Sequence, residues 1–156
     1  MDKVMDQVME QVADQVMDNE TYVLYADGSA INNPGPAGSG AVLTRAGGEV
    51  LFTLSSYLGF NTNNYAEYHG LILGAEEALK MGVKKIDIRM DSMLVVNQVN
   101  GRWKIKSPHL KELARASQEL LSRFQSWSLS YIPREKNSLA DSAAKEASAA
   151  GLAPSV

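Results

Sequence analysis

Hydrophobic and polar positions fall into two rhythms along this chain, and their order predicts its elements. A β-branched and aromatic run over about 21–27 reads as a strand. Gly, Pro and Asn then crowd residues 28–38, which predicts a turn. Two more strands are expected at about 39–45 and 49–58. Ala46, Gly47 and Gly48 join them, since a tight hairpin needs residues that tolerate positive φ. From Asn63 or Asn64 the apolar spacing becomes helical. Ala66, Leu71, Leu73, Ala75, Ala78 and Leu79 take inner positions and leave Glu76, Glu77 and Lys80 for solvent. That helix runs to about 81, with Gly82 as its stop. A strand at about 84–90 follows, then a short helix at about 92–99 capped by Asp91-Ser92. Ser107-Pro108 starts a helix that runs to about 124. A strand at about 127–132 and an alanine-rich helix at about 137–149 complete the order β-β-β-α-β-α-α-β-α.

This order specifies a topology. The first three strands form an antiparallel meander. Helical crossovers link the first, fourth and fifth, which must then be parallel and right-handed. The expected fold class is α/β, a five-stranded mixed sheet with helices on both faces. At 156 residues and 45% apolar content the chain can bury a sizeable core. The expected organisation is an acidic segment over 1–20, one domain over 21–150 and a tail over 151–156. Ligands of such sheets favour the carboxyl ends of the parallel strands.

Residues 2–17 repeat every four positions, with apolar pairs Val4/Met5, Val8/Met9, Val12/Ala13 and Val16/Met17. On a helix a four-residue step drifts about 40° each time, so the apolar stripe winds round a rod about 24 Å long. Valine is a modest helix former, and such a segment alone is marginal. A frayed tail and a helix that needs a partner both stay open. Among the partners, self-association through residues 2–17 ranks above a pseudo-substrate that masks a basic groove.

The net charge of −3 conceals an asymmetry. Residues 1–20 hold six acids and one base, which leaves twelve acids and fourteen bases in the remainder. A mildly basic domain permits nucleic-acid binding. There is no cysteine, hence no disulfide framework and no thiolate zinc site. This suits a reducing cytosol, and a cytoplasmic location is expected. No apolar run approaches the roughly 18 residues that span a bilayer, and the acidic N-terminus is no secretory signal. No membrane partner is expected.

Four acids carry the chemistry. Asp27 and Asp91 each end a predicted strand, while Glu67 and Asp141 lie near helix starts. Strand ends and helix starts can meet at one edge of a sheet, where four carboxylates repel unless cations neutralise them. Oxygen ligands without Cys or His favour Mg²⁺, with Mn²⁺ as a substitute. Two such ions about 3.5–4 Å apart can clamp the attacking water and the leaving oxygen of a phosphodiester. Singly, each acid also reads as a turn, cap or surface residue.

The surrounding text decides between these readings. Tyr25-Ala-Asp-Gly-Ser29 with Asn33-Pro-Gly-Pro36, Thr62-Asn-Asn-Tyr-Ala-Glu-Tyr68, Asp91-Ser92 and Asn137-Ser-Leu-Ala-Asp141 resemble, in order and spacing, the ribonuclease H type 1 family. The resemblance covers about residues 21–150. It implies a metal-dependent endonuclease that cuts the RNA strand of an RNA–DNA hybrid and leaves 3′-hydroxyl and 5′-phosphate ends. Carried over, Asp27 bridges two Mg²⁺ ions, Glu67 and Asp91 complete one site, and Asp141 completes the other. Glu67 also matches the family glutamate that contacts a 2′-hydroxyl, the group that distinguishes RNA from DNA.

The resemblance extends to substrate contacts. Asn33 resembles the family's minor-groove asparagine, and Gly28 and Ser29 would approach the RNA sugars. Thr62 and Asn63 match residues that grip a DNA-strand phosphate, and Asn63 with Asn64 is the polar pair before the glutamate. Helix capping accounts for the same residues and is compatible with that role. From the residues themselves, Gln98, Asn100, Arg102, Trp103, Lys104 and Lys106 read as a wall for a phosphate backbone, or as a core tryptophan among solvated bases.

The chain also departs from the family. Only Gly101 to Ser107 separates two helices, so the basic protrusion of some members is absent, and the N-terminal hybrid-binding module is not expected. Many bacterial relatives carry a histidine before the last aspartate. Here that loop is Pro133-Arg-Glu-Lys-Asn-Ser138, so either Arg134, Glu135 or Lys136 attends the leaving phosphate or a metal-coordinated water manages without a side-chain base, and no general base is assigned. His69 and His109 read as structural or surface residues. Two rival functions stand beside hybrid hydrolysis. One is a nuclease of the same fold acting on RNA duplexes or DNA junctions; the other is a non-catalytic nucleic-acid-binding module. Action on double-stranded RNA is not excluded.

Overall fold

The computed structural model describes residues 16–152. The repeat of residues 2–17 lies outside them apart from Val16 and Met17, and so does the self-association it suggests. The element order is that expected: β1 (Thr21–Ala30), β2 (Gly35–Thr44), β3 (Val50–Asn61), α1 (Asn63–Lys80), β4 (Lys85–Met90), α2 (Met93–Val99), α3 (Pro108–Leu121), β5 (Ser126–Tyr131) and α4 (Ser138–Ala150). A short 3₁₀ turn, Arg134–Lys136, precedes α4. The strands form one sheet in the order β3-β2-β1-β4-β5. β1, β2 and β3 pair antiparallel, and β4 pairs parallel with both β1 and β5.

The two faces of the sheet are covered differently because the strands alternate. On β1, Tyr22, Leu24 and Ala26 point to one face, where they pack with Ile86, Ile88 and Met90 of β4 against Tyr68, Leu71 and Ala75 of α1. Helices α2 and α3 extend that core through Val95, Val96, Leu120 and Leu121. The opposite face of β1, β2 and β3 receives α4, whose Ala140, Ala143, Ala144 and Ala147 are buried. Small residues on both sides let these backbones approach. A Cβ on Gly40 would lie 2.4 Å from the Ala140 carbonyl oxygen, and one on Gly38 2.4 Å from the Ser148 amide. Among the described residues, no helix is long and apolar enough to cross a membrane.

One expectation needs correction. Residues 28–38 are not a single turn, because the β1–β2 ladder runs on to Ala30↔Ala37. The true loop is 31–34, closed by the Ile31 amide donating to the Pro36 carbonyl at 2.9 Å. Asn32 there has a φ of 63°, and the Asn33–Pro34 bond is cis. Gly38, read as a turn residue, is an in-strand site of helix contact. β3 likewise runs on to Asn61, with Gly59 at a φ of 72° where its register against β2 shifts.

The extended ladder changes where Asp27 sits. It lies within β1, opposite Gly40 of β2. Pairing of β1 with β4, however, stops at Tyr25↔Arg89. Beyond that register the two parallel strands have no ladder between them, and Asp27 and Asp91 both lie past it, at the carboxyl end of the parallel pair.

Candidate active site

Four elements bring the four acids to one pocket of about 240 Å³. Asp27 comes from β1, Glu67 from the second turn of α1, Asp91 from just past the end of β4, and Asp141 from the first turn of α4. Gly28, Ser29, Ala30, Asn63, Arg134 and Lys145 line the rest. α1 can place Glu67 there because it crosses β1 at Gly28. A Cβ at Gly28 would stand 2.2 Å from both the Ala66 carbonyl carbon and the Glu67 amide nitrogen. Thr62 starts the helix, its Oγ1 accepting from the Tyr65 amide at 3.1 Å.

Crowding of the acids shows in their protonation. Asp27 is only 5% exposed. Burial first, then the Asp91 charge, and further the bond and charge of Asp141, push it from 3.8 up to about 8, against a lowering by the Gly28 amide. Burial raises Glu67 from 4.5 to about 7; a hydrogen bond from Ser92 lowers it and the Asp91 charge raises it. Asp141 goes the other way. Burial would raise it, but its bonds with Lys145 and Asp27, and the Lys145 and Arg134 charges, hold it below the ordinary carboxylate value. Lys145 Nζ stands 3.1 Å from Asp141 Oδ2, and Arg134 4.0 Å from Oδ1.

The donor set is made of hard oxygens, which suits Mg²⁺ or Mn²⁺. Uncompensated burial and repulsion, the cause of the raised Asp27 and Glu67, is what a divalent cation would relieve. Among the described residues no group of three or more His, Asp or Glu side chains stands ready as a closed cage. The Asp141 carboxylate is held by Lys145 and Arg134. The residues fit a divalent ion in chemistry.

Asn137 is a member of the site that sequence reasoning passed over. It is 1% exposed, and its Nδ2 donates to Asp91 Oδ1 at 2.7 Å and to the Ala26 carbonyl at 3.1 Å. It thereby ties the start of α4 to both parallel strands and orients Asp91. Its Oδ1 has no hydrogen-bond partner. Asn137→Ala is expected to cost about 1–3 kcal/mol, since it strips a partner from two acceptors. It should also weaken apparent divalent-ion affinity roughly 10- to 100-fold, as loss of a ligand's orienting partner does. Thermal melting and a Mg²⁺ titration of activity check the two effects. Lys145 was missed as well, although its i,i+4 spacing from Asp141 is the signal that finds it.

The substrate-binding expectations divide. Asn63 and Asn33 are brought together, the Asn63 amide donating to Asn33 Oδ1 at 2.9 Å. Asn63 Oδ1 in turn accepts from the Ala30 amide at 2.6 Å. Gly28, Ser29 and Arg134 line the pocket, whereas Thr62, Asn64 and Lys136 do not. Gln98 is buried, and its Oε1 accepts from the Tyr68 hydroxyl at 2.7 Å inside the core. Arg102, Lys104 and Lys106 are exposed beside Trp103, which is 46% exposed and so is not a core residue. His69 is half-buried and His109 exposed, and both stack on Tyr65.

Known proteins resemble this chain in sequence and fold. The sequence model of the reverse transcriptase-like family matches residues 25–147. The bifunctional protein Rv2228c of Mycobacterium tuberculosis is 44% identical over 126 residues, which are 80% of this chain and 35% of that protein. Its N-terminal RNase H domain superposes with a TM-score of 0.83 at 42% identity, covering 86% of this chain and 97% of that one. Ribonuclease HI of Halobacterium salinarum is 40% identical over 123 residues, 79% of this chain and 62% of that protein. LC11-RNase H1, isolated from compost, has been solved in complex with an RNA/DNA hybrid; it gives a TM-score of 0.79 at 38% identity, over 85% of this chain and 99% of that one. This chain thus spans about a third of the length of the mycobacterial protein and under two thirds of the halobacterial one. With the motif order, the mixed five-stranded sheet and the match over 25–147 in agreement, the chain belongs to the reverse transcriptase-like family and has the ribonuclease H fold.

Proposed function

We propose that this chain is a divalent-metal-dependent endoribonuclease that hydrolyses the RNA strand of RNA–DNA hybrids in the cytoplasm, through a domain spanning residues 21–150. The observation that carries this reading is the convergence of Asp27, Glu67, Asp91 and Asp141, from four separate elements, on one open pocket beyond the parallel strands. The likeness to a ribonuclease H solved with a hybrid supports the choice of substrate.

Two Mg²⁺ ions, or Mn²⁺ in their place, would be held by Asp27, Glu67, Asp91 and Asp141. When bound, such ions would supply a water acidic enough to attack phosphorus at neutral pH and would offset charge on the departing oxygen. The chain's own residues do the rest. Asp27 and Glu67 give up the protons that burial and repulsion favour, and so become ligands. Asn137 keeps Asp91 aimed at the pocket. Arg134 and Lys145 place two cations on the Asp141 side of the pocket, where they would attract the scissile phosphate. Gly28 and Ser29 let the RNA sugar come close, and Glu67 reaches the 2′-hydroxyl. Asn33, whose Oδ1 holds the Asn63 backbone amide, faces the minor groove, and Thr62 and Asn63 meet a DNA-strand phosphate. Water oxygen bonds to phosphorus, the bond from phosphorus to O3′ breaks, and O3′ takes a proton. The ends are a 5′-phosphate and a 3′-hydroxyl.

A substrate panel tests this. Labelled hybrid, RNA duplex, DNA duplex and single strands are offered with Mg²⁺, Mn²⁺ or EDTA. The RNA strand of the hybrid should be cut with either metal and left whole in EDTA. A hybrid left intact in both metals overturns the proposal, and preferred cutting of RNA duplex reassigns the substrate.

A further inference from the structure

Tyr65 lies in the first turn of α1, two residues before Glu67, yet it does not line the carboxylate pocket. Its ring stacks with two imidazoles. His109, from the first turn of α3, lies 5.6 Å away between ring centroids with planes 8° apart. His69, one turn further along α1, lies 6.0 Å away with planes 19° apart. These are offset-stacked separations of the kind aromatic pairs prefer. The Tyr65–His109 pair joins the start of α1, at the site end of the sheet, to the start of α3.

What α3 holds at that point gives the contact its interest. The segment Gly101–Ser107 leads into α3 with Arg102, Trp103, Lys104 and Lys106 exposed and no regular secondary structure of its own. Its start is fixed by the Arg102 and Trp103 amides, which donate to the Asn97 carbonyl at 2.9 and 3.2 Å. Its middle is fixed in depth by Ile105, half-buried against the core. At its far end Ser107 caps α3, its Oγ accepting from the Leu110 amide at 3.3 Å, and this cap ties it to α3 alone. The His109 ring then sets α3 against the very helix that carries Glu67 and Asn63.

We propose that Tyr65 and His109 form a clasp that positions the basic segment Arg102–Lys106 for the hybrid at a set distance from the cleavage point. Both are positioning residues for substrate binding and take no part in the chemical step; the proposal rests on the hydrolase reading above. Three cations and an exposed tryptophan on a short segment bind a phosphate backbone best when already in place. A segment that must be ordered on binding loses affinity to conformational entropy. Ile105 packs against the core beneath the segment, and the stack adds a lateral tie between the starts of α1 and α3, beside the packing of Leu110, Leu113 and Ala114.

The test compares Tyr65→Ala, His109→Ala, Tyr65→Phe and His109→Phe on a labelled hybrid in Mg²⁺, with melting temperatures recorded for each. KM should rise about five- to tenfold in the two alanine variants while kcat stays within about twofold, because ground-state positioning alone is lost. The phenylalanine variants keep a ring in the stack and should hold the parent KM, an outcome a fold defect would not give. In a background lacking Lys104 and Lys106 (both changed to Ala), His109→Ala should add little, since nothing remains to be placed. An unchanged KM in both alanine variants, a fall in kcat at constant KM, or a full further KM rise in the lysine-less background overturns the clasp. If the parent binds hybrid without cutting it, the hydrolase reading fails. The clasp is then judged by hybrid affinity in EDTA, where an unaltered His109→Ala overturns it. A parent that neither binds nor cuts hybrid overturns both.

Discussion

Asp91→Asn is expected to give a fully folded protein that cuts hybrid at less than about one thousandth of the parent rate, the scale on which removal of a principal charge-stabilising group acts. Asparagine keeps the shape of the side chain. Its carbonyl oxygen can still accept from Asn137 Nδ2, which donates to Asp91 Oδ1 at 2.7 Å, so the tie between α4 and the strands survives. What disappears is a charge. That charge raises both Asp27 and Glu67, so its removal eases the crowding within the pocket. The variant should therefore melt at or above the parent temperature in EDTA while losing activity and the Mg²⁺-induced rise in stability. Single-turnover cleavage and melting with and without Mg²⁺ read both quantities. Activity within tenfold of the parent would remove Asp91 from the catalytic set. Loss of activity together with a fall in melting temperature would make its role structural.

The sequence revealed the type and order of the described elements because each has a local signature. Ser107-Pro108 and Thr62 both cap helices as expected. Gly82 ends α1 with a φ of 89°. Local signatures failed where a residue serves something distant. Gly38 resembles a turn residue in sequence, but its reason is α4, whose Ser148 backbone a Cβ would strike. Gln98 sits among polar and basic neighbours and suggested a surface role, yet its partner is Tyr68, thirty residues earlier in the chain and buried. Asn137, expected to be the first residue of the last helix, lies just before it. Its side chain makes no cap bond and instead reaches Asp91, forty-six residues away. The same limit applies at Tyr65, since a stack across two helix starts has no expression in either helix alone. Grouping of the carboxylates was legible only because four motifs in fixed order implied it. That Arg134 also reaches Asp141 required coordinates, whereas the Lys145 contact follows from its i,i+4 spacing.

Asp27→Asn is expected to stabilise the metal-free protein, and by an amount that depends on pH. The parent carboxyl is raised from 3.8 to about 8 in the folded state. Below about pH 3 it is largely protonated folded and unfolded alike, and burial imposes little cost. Between about 4 and 8 the unfolded chain releases this proton while the folded chain retains it. The unfolded state then binds fewer protons, so stability falls as pH rises through that window and levels off above it. Glu67, raised to about 7, adds a decline of the same sign over a narrower range. Asp141, held below its ordinary value, contributes stability that is lost only as pH falls through its folded value, so it does not mask the trend. Asparagine at 27 removes the titration and keeps an amide that can donate toward Asp141. A gain of a few kcal/mol at pH 8 corresponds to a rise in melting temperature of about 5–10 °C for a chain of this size, with little change near pH 4. Mg²⁺ should have the mirror effect on the parent, raising its melting temperature more at pH 8 than at pH 5 because the ion takes the place of protons. Melting curves in EDTA and in Mg²⁺ from pH 4 to 9 measure all of this. A parent stability that does not fall between pH 4 and 8 in EDTA, or an Asp27→Asn protein less stable than the parent at pH 8, would show that Asp27 does not carry the unmet charge assigned to it.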